Sequence, residues 1–201
     1  KKTEDVVNKS LDINEVNNQL ITEVKKDLLK KNKRLKITTP KIGVLIETPA
    51  AALISEELAK NCDFFAIGTN DLTMYTLAID RGDEEVAKIY DPGHQSVLKL
   101  IHMTARSGYR NKIPVSICGE MAGDTLFTSI LIGMGIRTLS MSTSRILKVK
   151  QYLSQVNSNE VKKISDDIFK QDDNVMIKNI LYSYNQEINK TIKEFSGKSF
   201  S

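Results

Sequence analysis

Four short apolar runs alternate along the chain with longer segments in which apolar residues recur at helical spacing. Each run ends in small or polar residues, a pattern typical of buried strands. Strands that alternate with helices form parallel βαβ units, so the pattern predicts the α/β class. Four such units amount to half of an eight-stranded (β/α)8 barrel. The predicted strands are Lys41–Ile46, Phe64–Gly68, Ile113–Ile117 and Thr138–Met141.

Amphipathic segments flank the predicted sheet and set the expected domain organisation. Apolar residues at every fourth position predict a helix over Asn14–Lys31, with one face packed on a core. Between the strands, helices are predicted over Ala50–Lys60, from about Leu72 to Ile79, and over Ser96–Ala105. Three further helices are predicted after the fourth strand, the last of them over Asn174–Ile192. We therefore expect an N-terminal helix with a basic connector over 1–40, a half-barrel over 41–156, and C-terminal helices packed on the barrel over 157–201.

Three of the four predicted strands end in side chains that can bind ligands or transfer protons. Glu47 follows the first strand, and Asn70 with Asp71 follows the second. Cys118 follows the third. The carboxyl ends of barrel strands converge on one face, where barrel enzymes build their active sites. Two carboxylates there suit Mg²⁺, which completes its shell with water and substrate oxygens. Arg81 adds a planar guanidinium that fits phosphate or carboxylate.

Each of these residues also has a structural interpretation. Asn70 and Asp71 could simply cap a helix, and Glu47 could do the same or lie on the surface. A cysteine after an apolar strand is most often a small buried hydrophobe. We favour proton donation by Cys118, because a thiol can release and recover a proton near neutral pH and Gly119 leaves room for a ligand. The two carboxylates taken together favour a metal site over two caps.

Composition narrows the classes of function. A length of 201 residues with 40% hydrophobic content supports one sizeable core. The net charge of +4 requires neither a nucleic-acid partner nor a membrane partner. No apolar run approaches the roughly 20 residues of a membrane span. Two cysteines provide no disulfide framework, which fits a cytoplasmic location. Neither a Walker loop nor a GxGxxG motif occurs, so P-loop and dinucleotide chemistry are unsupported.

Three stretches, Ile42–Ala51, Gly68–Arg81 and Cys118–Asp124, closely resemble motifs of one enzyme family. This family is the phosphoenolpyruvate–protein phosphotransferases, enzyme I of the bacterial sugar phosphotransferase system. The resemblance implies the C-terminal half of a TIM barrel that binds phosphoenolpyruvate (PEP). Enzymes of this family pass the PEP phosphoryl group to a histidine on an N-terminal domain and on to the carrier protein HPr for sugar uptake, releasing pyruvate. Nothing in the sequence matches that domain, and the chain opens on Lys1, so we expect a portion of a longer enzyme that is inactive alone.

The resemblance also implies a role for each matched residue. Glu47 and Asp71 match the family's Mg²⁺ ligands. Asn70 and Arg81 match residues that hold the phosphate and carboxylate of PEP. Cys118 matches the acid that protonates the methylene carbon of the enolpyruvate, and the family also implies a homodimer. The chain departs from the family pattern at Met74, Tyr109, Ser116 and Arg145.

Two other interpretations remain open at this point. Phosphoenolpyruvate synthase and pyruvate phosphate dikinase resemble the chain around Asn70–Thr73, but they usually depart from it at Tyr75–Ala78 and at Glu120–Asp124. A truncated regulatory protein without catalytic activity would keep the half-barrel fold. An upstream reading frame with a histidine domain would exclude the truncated protein.

Overall fold

The computed structural model describes residues 13–80 and 82–198. Its strands are β1 (Gly43–Ile46), β2 (Phe64–Gly68), β3 (Val115–Cys118) and β4 (Thr138–Leu139). Its helices are α1 (Ile13–Lys31), α2 (Pro49–Leu53), α3 (Ser55–Ala59), α4 (Thr69–Leu77), α5 (Glu84–Ala87), α6 (Gln95–Asn111), α7 (Thr125–Gly133), α8 (Thr143–Leu153), α9 (Ser158–Phe169) and α10 (Asn174–Lys198), with a 3-10 turn at Glu120–Gly123.

The four strands form one parallel sheet in the order β1-β2-β3-β4. Each strand therefore pairs with the strand that precedes it in sequence, and helical segments make every crossover. This is the strand order of consecutive units in a (β/α)8 barrel. The predicted α/β class, with about four βα units followed by extra C-terminal helices, is confirmed.

The two faces of the sheet differ in exposure, because successive side chains of a strand point to opposite faces. One row across the sheet contains Ile46, Ile67 and Ile117, each 0% exposed and part of the main hydrophobic core. The adjacent row begins at Leu45, which is 49% exposed, and continues through the half-buried Ala66. Within the described residues, helices thus cover one face of the sheet and leave the other face open.

The helix α7 is the centre of the helical layer on the carboxyl side of β3. Its sequence is apolar on all sides, and it packs against α8, α9 and α10. A helix without a polar face is stable only when neighbours surround it. The main core accordingly extends from the sheet helices through Ile130 and Leu131 to Ile168 of α9 and Ile177 of α10.

Several helix boundaries differ from the sequence prediction, and each difference has a local cause. The single helix predicted over Ala50–Lys60 is two short helices, α2 and α3, because the chain leaves helical geometry at Ile54. The helix α6 runs six residues beyond the predicted end at Ala105, to Asn111. Its added buried positions are the small residues Ser107 and Gly108, which an apolar pattern does not mark.

The helix α1 forms as predicted, but its predicted packing is wrong for the described residues. Three of its apolar side chains, Leu20, Val24 and Leu28, are 40–57% exposed rather than buried on the core. Helical periodicity indicates an amphipathic helix, but it does not identify the surface that the apolar face contacts. None of the helices in residues 13–80 and 82–198 combines the length and the apolar character needed to cross a membrane.

Candidate functional site

The junction of β2 and α4 places two polar side chains at the carboxyl edge of the sheet. Gly68 is the last residue of the strand, and α4 begins at Thr69, three residues before the predicted start at Leu72. Asn70 and Asp71 therefore lie in the first helical turn, and both are half-buried. A carboxylate is electrostatically favourable at this end of a helix, because the unpaired main-chain N–H groups there carry partial positive charge.

A part-buried hydrogen bond ties this junction to the end of the next strand. Thr69 is 0% exposed, and its hydroxyl donates to the Cys118 carbonyl across 2.8 Å. The Cys118 thiol in turn lies 3.4 Å from the Ile67 carbonyl, to which it donates. Since Gly68 and Cys118 are also paired in the sheet register, the ends of β2 and β3 are held together at three points.

Gly119 has no side chain, so the backbone after β3 can approach Thr69 and Asn70 closely. Its φ of +99° lies in a region that side-chain-bearing residues rarely adopt. A Cβ atom at this position would lie 2.4 Å from the Thr69 hydroxyl oxygen and 2.9 Å from Asn70 Oδ1. The next residue, Glu120, donates its main-chain N–H to the same Asn70 oxygen across 3.2 Å. This hydrogen bond orients the Asn70 amide at the wall of the cleft described below.

Glu47 extends from the end of β1 over the end of β2. Its Oε1 lies 2.6 Å from the point that a Cβ atom of Gly68 would occupy, so the carboxylate lies directly against that glycine. The helix-capping role considered for Glu47 belongs instead to its neighbour Thr48, whose hydroxyl accepts from the Ala51 main-chain N–H across 3.2 Å. The Glu47 carboxylate is half-buried and is not used as the cap.

The carboxylates and the thiol influence one another electrostatically. Burial raises the pKa of the Cys118 thiol above its ordinary value, and the negative charges of Glu47 and Asp71 raise it further. Both effects disfavour the thiolate, because it would be a charge in a poorly solvated place beside two like charges. At neutral pH the group is therefore a protonated thiol, which can donate a proton but is a poor nucleophile.

An open cleft with a volume of about 680 Å³ lies at this edge of the sheet. Two of the residues predicted from sequence, Asn70 and Cys118, line it directly. Arg81 lies outside the described residues, so its predicted contact with phosphate or carboxylate stays a prediction. The remaining lining residues are Gly119, Glu120, Gly123, Asp124, Ser140, Met141, Ser142 and Arg145.

Sequence reasoning missed the contribution of the fourth strand. Ser140 directly follows β4, Ser142 lies two residues further along, and both line the cleft. The rule that identified Glu47 and Cys118 would have found them, since they also follow an apolar strand. Serine is common after strands for reasons of turn formation, so its presence there is a weak signal of function.

The candidate ligands suit Mg²⁺ better than a metal ion whose ligands all come from protein side chains. Within the described residues, no group of three or more His, Cys, Asp or Glu side chains is placed to hold a metal. Glu47 and Asp71 provide two hard carboxylates that both act on Cys118, and Mg²⁺ typically takes one or two carboxylates with water and substrate oxygens. A structural zinc site needs four protein ligands, which these residues do not provide.

The contacts of both histidines indicate structural roles. His94 caps α6, where its Nδ1 accepts from the Ser96 main-chain N–H across 3.3 Å. His102 stacks on Phe169 with the ring centroids 4.2 Å apart. Burial lowers the pKa of His102, and the nearby Arg106 lowers it further.

The parallel half-barrel has its carboxylates and its protonated thiol at the carboxyl ends of the strands, the edge at which (β/α)8 barrels build their active sites. Residues 6–158 match the family described as PEP-utilising enzyme, PEP-binding domain. The chain therefore belongs to this family.

Individual relatives are similar to the chain over the same region. A phosphoenolpyruvate-protein phosphotransferase of Cupriavidus necator is 44% identical over 128 residues, which are 64% of this chain and 22% of that protein. The protein of the same name from Buchnera aphidicola is 46% identical over 125 residues, 62% of this chain and 22% of the relative. That of Haemophilus influenzae is 41% identical over 146 residues, 73% of this chain and 25% of the relative.

These matches confirm the resemblance that the three motifs indicated. The chain spans about a quarter of the length of the relatives it matches.

Proposed function

We propose that this chain is the PEP-binding part of a phosphoenolpyruvate–protein phosphotransferase. The observation that carries the proposal is the protonated Cys118 thiol, which faces the same cleft as Asn70 and lies under the influence of Glu47 and Asp71. Conversion of PEP to pyruvate requires a proton at carbon as well as loss of the phosphoryl group. An un-ionised thiol beside an anion-binding edge suits that requirement.

Each residue has a defined part in the proposed reaction. The Asn70 amide binds an oxygen of the substrate, and Arg81 pairs with its phosphate or carboxylate. Glu47 and Asp71 would hold Mg²⁺, which when bound neutralises negative charge on the transferring phosphoryl group. The bond between the bridging oxygen and phosphorus breaks, and a histidine of another domain accepts the phosphoryl group. Cys118 donates its proton to the methylene carbon, which converts the enolpyruvate to pyruvate.

The proposal extends to the partners of the whole enzyme. HPr would receive the phosphoryl group from the histidine domain, and two copies would associate into a homodimer in the cytoplasm. The names of the relatives support the phosphotransfer step, and they favour it over the synthase and dikinase reactions. The free state of Cys62 and Cys118 agrees with a reducing compartment.

The test uses the full-length protein that carries this sequence and compares two variants of the site. Cys118→Ala should lower kcat for pyruvate formation by about 10²- to 10⁴-fold while the affinity for PEP changes little, because general-acid catalysis acts in the transition state. Asp71→Asn should abolish the part of PEP affinity that depends on Mg²⁺, as measured by calorimetry with and without the ion.

Asp172→Asn is the matched control, since it removes the same charge from an exposed position before α10. Its kinetics and PEP affinity should equal those of the unmodified protein. Full activity in Cys118→Ala would remove the acid role. Unmodified full-length protein that neither binds PEP nor forms pyruvate would reject the proposed function as a whole.

A further inference from the structure

Arg145 has no role in the function proposed so far, although it lines the same cleft as Asn70 and Cys118. It lies in the first turn of α8, three residues beyond the N-cap Ser142. The cleft therefore receives Asn70 and Cys118 from the side of β2 and β3, and Arg145 from the side of β4.

The Cβ and Cγ atoms of Arg145 pack against the backbone at Gly123. A Cβ atom built on Gly123 would lie 3.1 Å from Arg145 Cγ and 3.2 Å from its Cβ. It would also lie 3.3 Å from the Cβ of Met141. The first carbons of Arg145 thus pack on the bare backbone of the 3-10 turn, which fixes the direction in which the side chain leaves α8.

The Arg145 guanidinium can offset negative charge at the wall of the cleft. The other charged residues of the wall are the carboxylates Glu120 and Asp124, and Asp124 is already engaged as the N-cap of α7. Of the cleft-lining residues that the structure describes, Arg145 is the only cation. Among the salt bridges between described residues, none includes Arg145.

The stability of α8 does not account for the position of Arg145. The partial positive charge at the start of a helix disfavours a cation in the first turn, and this turn of α8 contains no acidic residue to offset it. The arginine is therefore placed where it weakens its own helix and faces the cleft.

We propose that Arg145 is a substrate-binding residue that contacts an anionic group of PEP, its carboxylate or its phosphate, on the β4 side of Cys118. The inference rests on the proposed function. A polyanion that enters a cleft lined by Glu120 and Asp124, with Glu47 and Asp71 near Cys118, meets repulsion unless cations offset it. Arg145 supplies such a cation opposite Asn70, so the substrate is held from both sides. A planar guanidinium can bind either oxyanion group with two parallel hydrogen bonds.

The test measures PEP affinity in the full-length protein by calorimetry, with Mg²⁺ present. Arg145→Ala should weaken PEP binding by about 10- to 100-fold, the range expected when one charge-assisted hydrogen-bonding partner is removed. Arg145→Lys should recover part of the loss, since it restores the charge without the planar fork. The matched control is Lys148→Ala, which removes one positive charge from an exposed position of the same helix and does not line the cleft.

Two fragments of the substrate identify the group that Arg145 contacts. If it contacts the phosphate, Arg145→Ala should weaken the binding of inorganic phosphate and leave pyruvate binding unchanged. If it contacts the carboxylate, the pyruvate affinity should fall and the phosphate affinity should not. Either pattern supports the inference.

Two results would overturn the inference. The first is equal PEP affinity in Arg145→Ala and Lys148→Ala while the unmodified protein binds PEP, which would leave the proposed function standing. The second is the absence of PEP binding by the unmodified protein, which would reject the proposed function together with the inference.

Discussion

Replacement of Thr69 by valine tests how the site is held together. The Thr69 hydroxyl is the only side-chain donor to the Cys118 carbonyl among the hydrogen bonds of the described residues, and Thr69 is 0% exposed. Valine has nearly the same shape but cannot donate. The variant therefore leaves a carbonyl at the end of β3 without this partner.

The expected cost follows from this burial. A buried acceptor that loses its partner costs about 1–3 kcal/mol of folding free energy. For a chain of this size, each 1 kcal/mol lowers the melting temperature by about 2–4 °C. Thr69→Val should therefore lower the free energy of unfolding by about 1–3 kcal/mol.

The control is a second threonine that is also 0% exposed. Thr104 donates across 2.9 Å to the Leu100 carbonyl of the preceding turn of α6, which the main-chain hydrogen bond of the helix already satisfies. Thr104→Val should therefore cost clearly less than Thr69→Val. Urea unfolding followed by circular dichroism measures both free energies. Equal destabilisation of the two variants would refute the reasoning.

Two further predictions concern pH. In Glu47→Gln the pKa of the Cys118 thiol should fall, because one of the charges that raise it is gone. Iodoacetamide labelling of Cys118, located by peptide mapping, should then begin at lower pH. An unchanged dependence of labelling on pH would contradict the electrostatic link. His102 has a lowered pKa in the folded state, so its contribution to stability is present above its ordinary pKa of 6.5 and is lost as the pH falls through the lowered value. His102→Gln should consequently lose less stability than the unmodified protein between about pH 7.5 and about pH 5 in thermal unfolding, and an equal loss would show that other groups cause it.

The sequence predicts the parts of the fold that depend on local pattern. The strand β2 was predicted over Phe64–Gly68 and has these bounds, because a short apolar run closed by glycine leaves little ambiguity. The convergence of Glu47, Asp71 and Cys118 follows from parallel pairing alone, since the carboxyl ends of parallel strands share one edge. Their chemical roles stay predictions.

Other features depend on contacts between distant segments, and no local pattern reports these. The bond from Thr69 to Cys118 joins residues 49 positions apart, and it forms only because β2 and β3 are neighbours in the sheet. The direction of Arg145 depends on a glycine in a turn three elements earlier. The exposed face of α1 shows the same limit, because amphipathicity indicates burial without identifying the partner surface.

The sequential order of the strands has a consequence for how the sheet assembles during synthesis. Each new strand pairs with the one made just before it, so no strand must wait for a partner that has not yet been translated. The loop that closes each pairing is short compared with the chain, which keeps the entropy cost of every step low. Glu47 and the strand against which its carboxylate lies are therefore synthesised before the cysteine that this carboxylate influences.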